Sequence, residues 1–148
     1  MKRNLSALKV LKLLLPAILL FSVSGIKAQD AAAKKTLPPF RILLTSMKYY
    51  KAADMDKNVP KMIVYFDPTC DHCRAFTTEL LKHENDFGKT QIVMISYTPV
   101  VQVKQFETEF KLSKYPNIKL GTEGYTFIVQ RYYNVQKFPF TAVYDKKG

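Results

Sequence analysis

Apolar positions along the chain change their period several times, and each change marks an element. Residues 61–66 (KMIVYF) and 91–97 (QIVMISY) are near-continuous apolar runs of strand length, the pattern of strands buried on both faces of a sheet. Between them, from Cys70 onward, Cys73, Phe76, Thr77, Leu80 and Leu81 share one helical face, and Gly88 supplies a stop signal after Asp86 and Phe87. Over 100–110, Val103, Phe106, Glu107 and Phe110 recur at helical spacing, and the Val/Phe stripe reads as core packing.

Shorter patterns fill the rest. Residues 40–44 and 48–50 predict two short strands around a turn, 54–58 a short helical turn, and 117–120 a short strand. Residues 124–133 predict a helix with Tyr125, Ile128, Val129 and Tyr132 facing inward. Residues 138–144 predict a strand opening on Pro139, with a turn over 145–148. The βαβ alternation over 40–148 predicts one α/β domain with a mostly parallel core sheet.

The N-terminal residues follow a different logic. Lys2, Arg3, Lys9 and Lys12 precede an apolar stretch over 13–23, interrupted by Pro16, and Ser24-Gly25-Ile26-Lys27-Ala28 ends it with small residues. That layout predicts a secretory signal over 1–28, cleaved after Ala28, and therefore an exported, periplasmic protein. The apolar run from 10 to 23 is shorter than the ~20 residues that a membrane span needs. The alternative is an uncleaved segment anchoring the protein to the inner membrane. Residues 29–39 read as a linker, with Ala31-Ala32-Ala33-Lys34-Lys35 followed by Pro38-Pro39.

Charge then narrows the partners. The chain carries 23 basic and 12 acidic residues, a net of +11. Removing 1–28 takes away five basic residues and no acid, which leaves +6. The remaining lysines are scattered, with no basic block interleaved with aromatics, so nucleic-acid binding is not expected.

The candidate chemistry sits where the first long strand meets the first long helix. Cys70-Asp71-His72-Cys73 contains the chain's only two cysteines. Cysteines three apart on a first helical turn share a face, so their sulfurs can close a small disulfide. The helix N-terminus also favours a thiolate on the first of them. A purely structural disulfide closing so short a loop restrains little chain entropy. A zinc site wants four ligands, and His83 lies too far along the helix to join Cys70, Cys73 and His72. Covalent haem attachment needs His directly after the second cysteine, where Arg74 stands. A redox pair remains as the favoured reading, with neither cofactor nor metal expected.

Taken together, the chain resembles the thioredoxin-like superfamily, nearest to its exported TlpA/ResA-type branch, over about 40–148. The strand leading into Asp67-Pro68-Thr69-Cys70-Asp71-His72-Cys73 carries the match, with the added strand–helix material before the proline and the segment Val135-Gln136-Lys137-Phe138-Pro139-Phe140-Thr141. The resemblance implies an α/β thioredoxin-like fold, a central mixed sheet flanked by helices. It implies a thiol–disulfide oxidoreductase in which Cys70 is the exposed nucleophile, Cys73 resolves the mixed disulfide, and the two form the redox disulfide. Pro139 would be cis and face the pair, with Thr69, Phe138 and Pro139 binding substrate and the Phe138 backbone pairing with a substrate strand. Partners would be protein thiols and disulfides and a membrane-bound or exported electron donor or acceptor, and a monomer is expected.

Departures from the family pattern sharpen other expectations. Thr69 replaces the usual tryptophan, and Asp71-His72 replaces Gly-Pro. These two inserted residues would tune the potential in opposite directions: His72 favours the reduced form by stabilising a thiolate, and Asp71 disfavours it. Val64 stands where thioredoxins carry a buried acid, leaving the proton acceptor for Cys73 unidentified; Glu79 reads as a solvated helix residue. The sequence stops at Gly148, before the last strand and C-terminal helix of the family, so the domain is expected to be C-terminally incomplete. Two other functions fit the cysteines: a peroxiredoxin-like peroxidase, which would want Thr at the position of Asp67, and a metal-binding module using both thiolates and His72.

Overall fold

The computed structural model describes residues 36–147. The signal expected over 1–28 and the start of the linker lie outside the described residues. Six strands form one sheet: β1 (Arg41–Leu44), β2 (Tyr49–Lys51), β3 (Lys61–Tyr65), β4 (Gln91–Ser96), β5 (Ile118–Thr122) and β6 (Phe140–Tyr144), in the order β2-β1-β5-β4-β3-β6. Three α-helices join them: α1 (Asp71–Lys82), α2 (Val100–Phe110) and α3 (Ile128–Tyr133). The central β5-β4-β3 ladder is parallel, whereas β1 pairs antiparallel with β2 and β5, and β6 antiparallel with β3. The sheet is therefore mixed, with its parallel character confined to the centre.

Strand alternation divides the apolar runs between two faces. Ile63, Tyr65, Val93 and Ile95 point to one side, where they meet Phe40, Ile42, Val129, Tyr133, Val135 and Tyr144. Val64, Phe66, Ile92 and Met94 point to the other, against Cys73 and Leu80 of α1, Val103 and Phe106 of α2, and Ile118 and Leu120. Covered on both sides, β3 and β4 can be apolar at nearly every position, which explains their unbroken runs. The β1–β5 contact is tight at Gly121, where a Cβ would stand 2.6 Å from the Leu43 carbonyl oxygen.

Helix α2 occupies 100–110, the span set by its apolar spacing, with Val103 and Phe106 buried. Helix α1 buries Cys73, Thr77 and Leu80, and Phe76 and Leu81 pack partly against the same cluster. It ends at Lys82, followed by a 3-10 turn over Glu84–Phe87 and by Gly88 at φ 53°. The early helical turn falls at Ala52–Asp54 rather than 54–58.

The segment 124–133 departs further from a single helix. A 3-10 turn (Gly124–Thr126) and α3 are separated by Phe127, whose φ of 48° lies in the left-handed region. The break resets the helical phase. Tyr125 is 83% exposed instead of inward, and Val129 and Tyr133 fill the interior. The end of the stretch read as a linker is docked: Pro38 is buried, and the Thr36 carbonyl oxygen accepts hydrogen bonds from the Tyr132 and Tyr144 hydroxyls.

Candidate active site

Helix α1 starts at the cysteines because the preceding turn aims the chain there. Asp67-Pro68-Thr69-Cys70 closes with the Cys70 N–H on the Asp67 carbonyl oxygen at 3.1 Å, Pro68 fitting the second position of such a turn. The Asp67 carboxylate reinforces it, accepting the Thr69 N–H at 2.8 Å and the Thr69 hydroxyl at 2.7 Å. Cys70 is the N-cap, and its carbonyl oxygen takes the Arg74 N–H, the first bond of the helix. Arg74 also bridges to Glu109 of α2, pinning the two helices together.

The two thiols occupy unlike environments. Cys70 is partly exposed, between the exposed residues Thr69, Asp71 and His72. Cys73 is fully buried, one turn deeper among Val64, Phe66 and the α2 side chains. Burial pushes the Cys73 thiol up to about 12; the Asp67 N–H favours its ionised form, while the Cys70 sulfur and the Asp67 carboxylate oppose it. Neither cysteine is in a disulfide.

The proline segment lies against the pair. The Phe138–Pro139 peptide bond is cis, and Cys70 Sγ sits 4.0 Å from the Phe138 carbonyl oxygen. The Phe138 ring packs between Tyr65 and Tyr97, with centroids 5.9 Å away in both cases. Strand β6 begins at Phe140, paired with Tyr65, and so Thr69, Cys70, Phe138 and Pro139 come together at one end of the sheet.

Four residues given no role from the sequence, Tyr97, Asp67, Glu123 and Tyr65, complete the surroundings. Tyr97 donates a hydrogen bond to the second carboxylate oxygen of Asp67 at 2.7 Å. This bond, then burial, then the charges of Asp67 and the two cysteines raise the Tyr97 hydroxyl to about 12. Burial pushes the Asp67 carboxyl upward, but the bonds from Tyr97 and Thr69 outweigh it and hold Asp67 below the usual carboxylate range. Behind Phe138, Glu123 is 6% exposed and accepts the Tyr65 hydroxyl at 2.8 Å and the Val129 N–H at 2.8 Å, tying Tyr65 to the first turn of α3. Burial, followed by the bond to Glu123, raises Tyr65 well above an ordinary phenol.

Strand register, which the sequence does not show, is what brings Tyr97 to Asp67. Strands β3 and β4 are parallel and in register from Lys61↔Gln91 to Tyr65↔Ile95. Residues just beyond their C-terminal ends, Asp67 and Tyr97, must therefore be neighbours. Glu79 is an exposed partner of Lys82, as expected for a solvated helix residue. Among the described residues, no group of three or more His, Cys, Asp or Glu side chains is placed to hold a metal ion, and no helix is long and apolar enough to cross a membrane.

No family model matches the chain. A stretch of 83 residues is 26% identical to a Medicago sativa protein named "Probable protein disulfide-isomerase A6"; it makes up 56% of this chain and 22% of that protein, so the chain spans about a fifth of that relative. Among solved structures, the chain is similar to a secreted Mycobacterium tuberculosis disulfide oxidoreductase homologous to E. coli DsbE. That likeness has a TM-score of 0.62 and 19% identity, and it covers 74% of this chain and 78% of the other. It is also similar to the thioredoxin domain of a Bacteroides vulgatus thiol-disulfide oxidoreductase (TM-score 0.63, 21% identity, 77% and 82% covered). A Bacteroides fragilis thiol-disulfide oxidoreductase aligns with a TM-score of 0.64 at 15% identity, over 77% and 85% of the two chains. The fold is thioredoxin-like, a central mixed sheet flanked by helices.

Proposed function

We propose that this thioredoxin-fold chain is an exported thiol–disulfide oxidoreductase of the TlpA/ResA type, acting on protein disulfides through Cys70-Asp71-His72-Cys73. The observation that carries this reading is the asymmetry of the pair: a partly exposed Cys70 Sγ 4.0 Å from the Phe138 carbonyl oxygen, and a fully buried Cys73 one turn behind it. In the reductive direction, the Cys70 thiolate attacks one sulfur of a substrate disulfide. That S–S bond breaks, and the other substrate sulfur leaves with the electron pair and takes up a proton. Cys73 then gives up its proton and attacks the Cys70 sulfur. The bond from Cys70 to substrate breaks, the second substrate sulfur leaves as a thiol, and the pair is left as a disulfide, two electrons poorer. An exported or membrane-bound dithiol donor restores it, since an oxidising compartment does not supply one by default.

Thr69, Phe138 and Pro139 line the approach to Cys70 and contact the substrate, whose extended strand pairs with the Phe138 backbone. Asp71 and His72, both exposed beside Cys70, tune the potential in opposite directions. The export reading rests on the N-terminal pattern of charges and apolar residues. The test is insulin reduction driven by dithiothreitol. Wild-type protein accelerates it, and Cys70→Ser reduces the acceleration to background; retained activity in Cys70→Ser removes Cys70 from the mechanism.

A further inference from the structure

Phe138 is one member of a longer aromatic row. Its ring stacks on Tyr97 at 5.9 Å with 26° between planes; Tyr97 meets Phe127 at 6.1 Å, and Phe127 meets Tyr125 at 6.3 Å. The row runs outward from the cysteine, since Phe138, Tyr97 and Phe127 are half-buried and Tyr125 is 83% exposed. Fold stability does not account for Tyr125, an aromatic ring held in water beside another ring. The left-handed backbone of Phe127 is what turns these two rings away from the interior filled by Val129 and Tyr133.

The spacing suggests what fits. Side chains on one face of an extended strand recur every two residues, about 6.6–6.8 Å. Ring centroids about 6 Å apart therefore meet alternate side chains of a strand that starts at Cys70. Phe127 also forms one wall of a cavity of about 450 Å³, lined further by Gln130, Arg131, Asn134, Val135 and Gln136. That lining contains a guanidinium and three amides but no acid, and the next residue, Lys137, is exposed, so the surface beside Phe127 is complementary to a carboxylate.

We infer that Tyr97, Phe127 and Tyr125 form a specificity surface for an extended polypeptide that carries aromatic side chains two and four residues from its reactive cysteine and an acidic residue beyond them. This inference rests on the proposed disulfide exchange and names its substrate class: unfolded or loosely folded segments, because a strand within an intact sheet could not offer its face to the row.

The experiment compares kcat/KM for one small disulfide and four peptide mixed disulfides. One is the small disulfide of 2-nitrobenzoate alone. The others are peptides bearing that leaving group on cysteine, with either Phe at the second and fourth positions and Glu at the sixth, or Ser at all three, each made with the pattern on either side of the cysteine. With wild-type protein, the Phe/Glu peptide of one polarity is expected to react at least tenfold faster than its Ser counterpart. The ratio of that peptide to the small disulfide is expected to fall severalfold in Tyr125→Ala, a variant of an exposed residue outside the core, and also in Arg131→Gln. Equal rates for Phe/Glu and Ser peptides in both polarities, or a ratio unmoved by Tyr125→Ala, overturn the specificity surface. Failure of wild-type protein to react with the small disulfide overturns the exchange reading instead, so the two failures are separable.

Discussion

The two faces of the sheet are built from different materials, and each serves a different part of the site. Beneath α1 and α2 the interior is apolar: Val64, Phe66, Met94, Val103, Phe106 and Leu120 form one cluster with Cys73, and Phe66 packs tilted against Phe106 at 4.9 Å. Beneath α3 the interior is threaded by hydroxyls. Tyr65 donates to Glu123, the Tyr133 and Tyr144 hydroxyls lie 2.6 Å apart, and Tyr144 also donates to the Thr36 carbonyl oxygen. The apolar face keeps one thiol dry and protonated. The hydroxyl face uses directional bonds to hold Tyr65, and through it the Phe138 ring, at a fixed place beside the other thiol. Burial supplies chemistry on one side, and hydrogen bonding supplies position on the other.

The largest effect should come from breaking the apolar face. Phe106→Ala removes a ring that is 2% exposed and packs against both Phe66 and Phe110, and such truncations cost ~3–5 kcal/mol. Urea unfolding should show that loss, with exchange rates per folded molecule largely kept. A smaller effect is expected on the other face. Tyr65→Phe keeps the ring but leaves the buried Glu123 carboxylate without one of its donors, a loss of about 1–3 kcal/mol. Here the rate with protein substrates should fall along with stability, because the ring packed on Phe138 loses its anchor to Glu123. If both variants lost stability and neither lost rate, the division of labour between the faces would be wrong.

Alkaline pH gives the mildest probe. An ordinary thiol ionises near pH 8.5, whereas burial raises Cys73 to about 12. The unfolded chain therefore loses this proton first, so the stability of the reduced protein is full below about pH 8.5 and declines as pH climbs toward about 12. Tyr50 and Tyr97, both raised to about 12, add their own decline above an ordinary phenol value of about 10. Urea midpoints of the reduced protein between pH 7 and 10 should fall for wild type and stay nearly level for Cys73→Ala. Equal declines would show that Cys73 is not the titrating group.

The legible and illegible parts of the molecule divide along similar lines. Strands β3 and β4 and helix α2 could be read because burial alone selects their residues, and burial leaves a period in the sequence. The cysteine turn could be read because Asp-Pro-Thr followed by two cysteines three apart has few other uses. The region around α3 could not be read in the same way. One residue, Phe127, steps into the left-handed region, shifts the helical phase and moves Tyr125 from inside to outside, and no local composition signals it. Tyr97 and Glu123 were missed for another reason. Their roles depend on partners 30 and 58 residues away, and those distances become contacts only once strand register is known. Glu79 could be dismissed correctly because an acid at a solvated helix position with Lys three residues later has a sufficient local partner.

The central claim is that the exposed thiol attacks and the buried thiol resolves. Its most direct test is to incubate Cys73→Ser and Cys70→Ser proteins separately with a disulfide-bonded protein substrate and map the trapped adducts by mass spectrometry. The account predicts a mixed disulfide on Cys70 in the Cys73→Ser protein and almost none on Cys73 in the Cys70→Ser protein. Comparable trapping through Cys73 would contradict it.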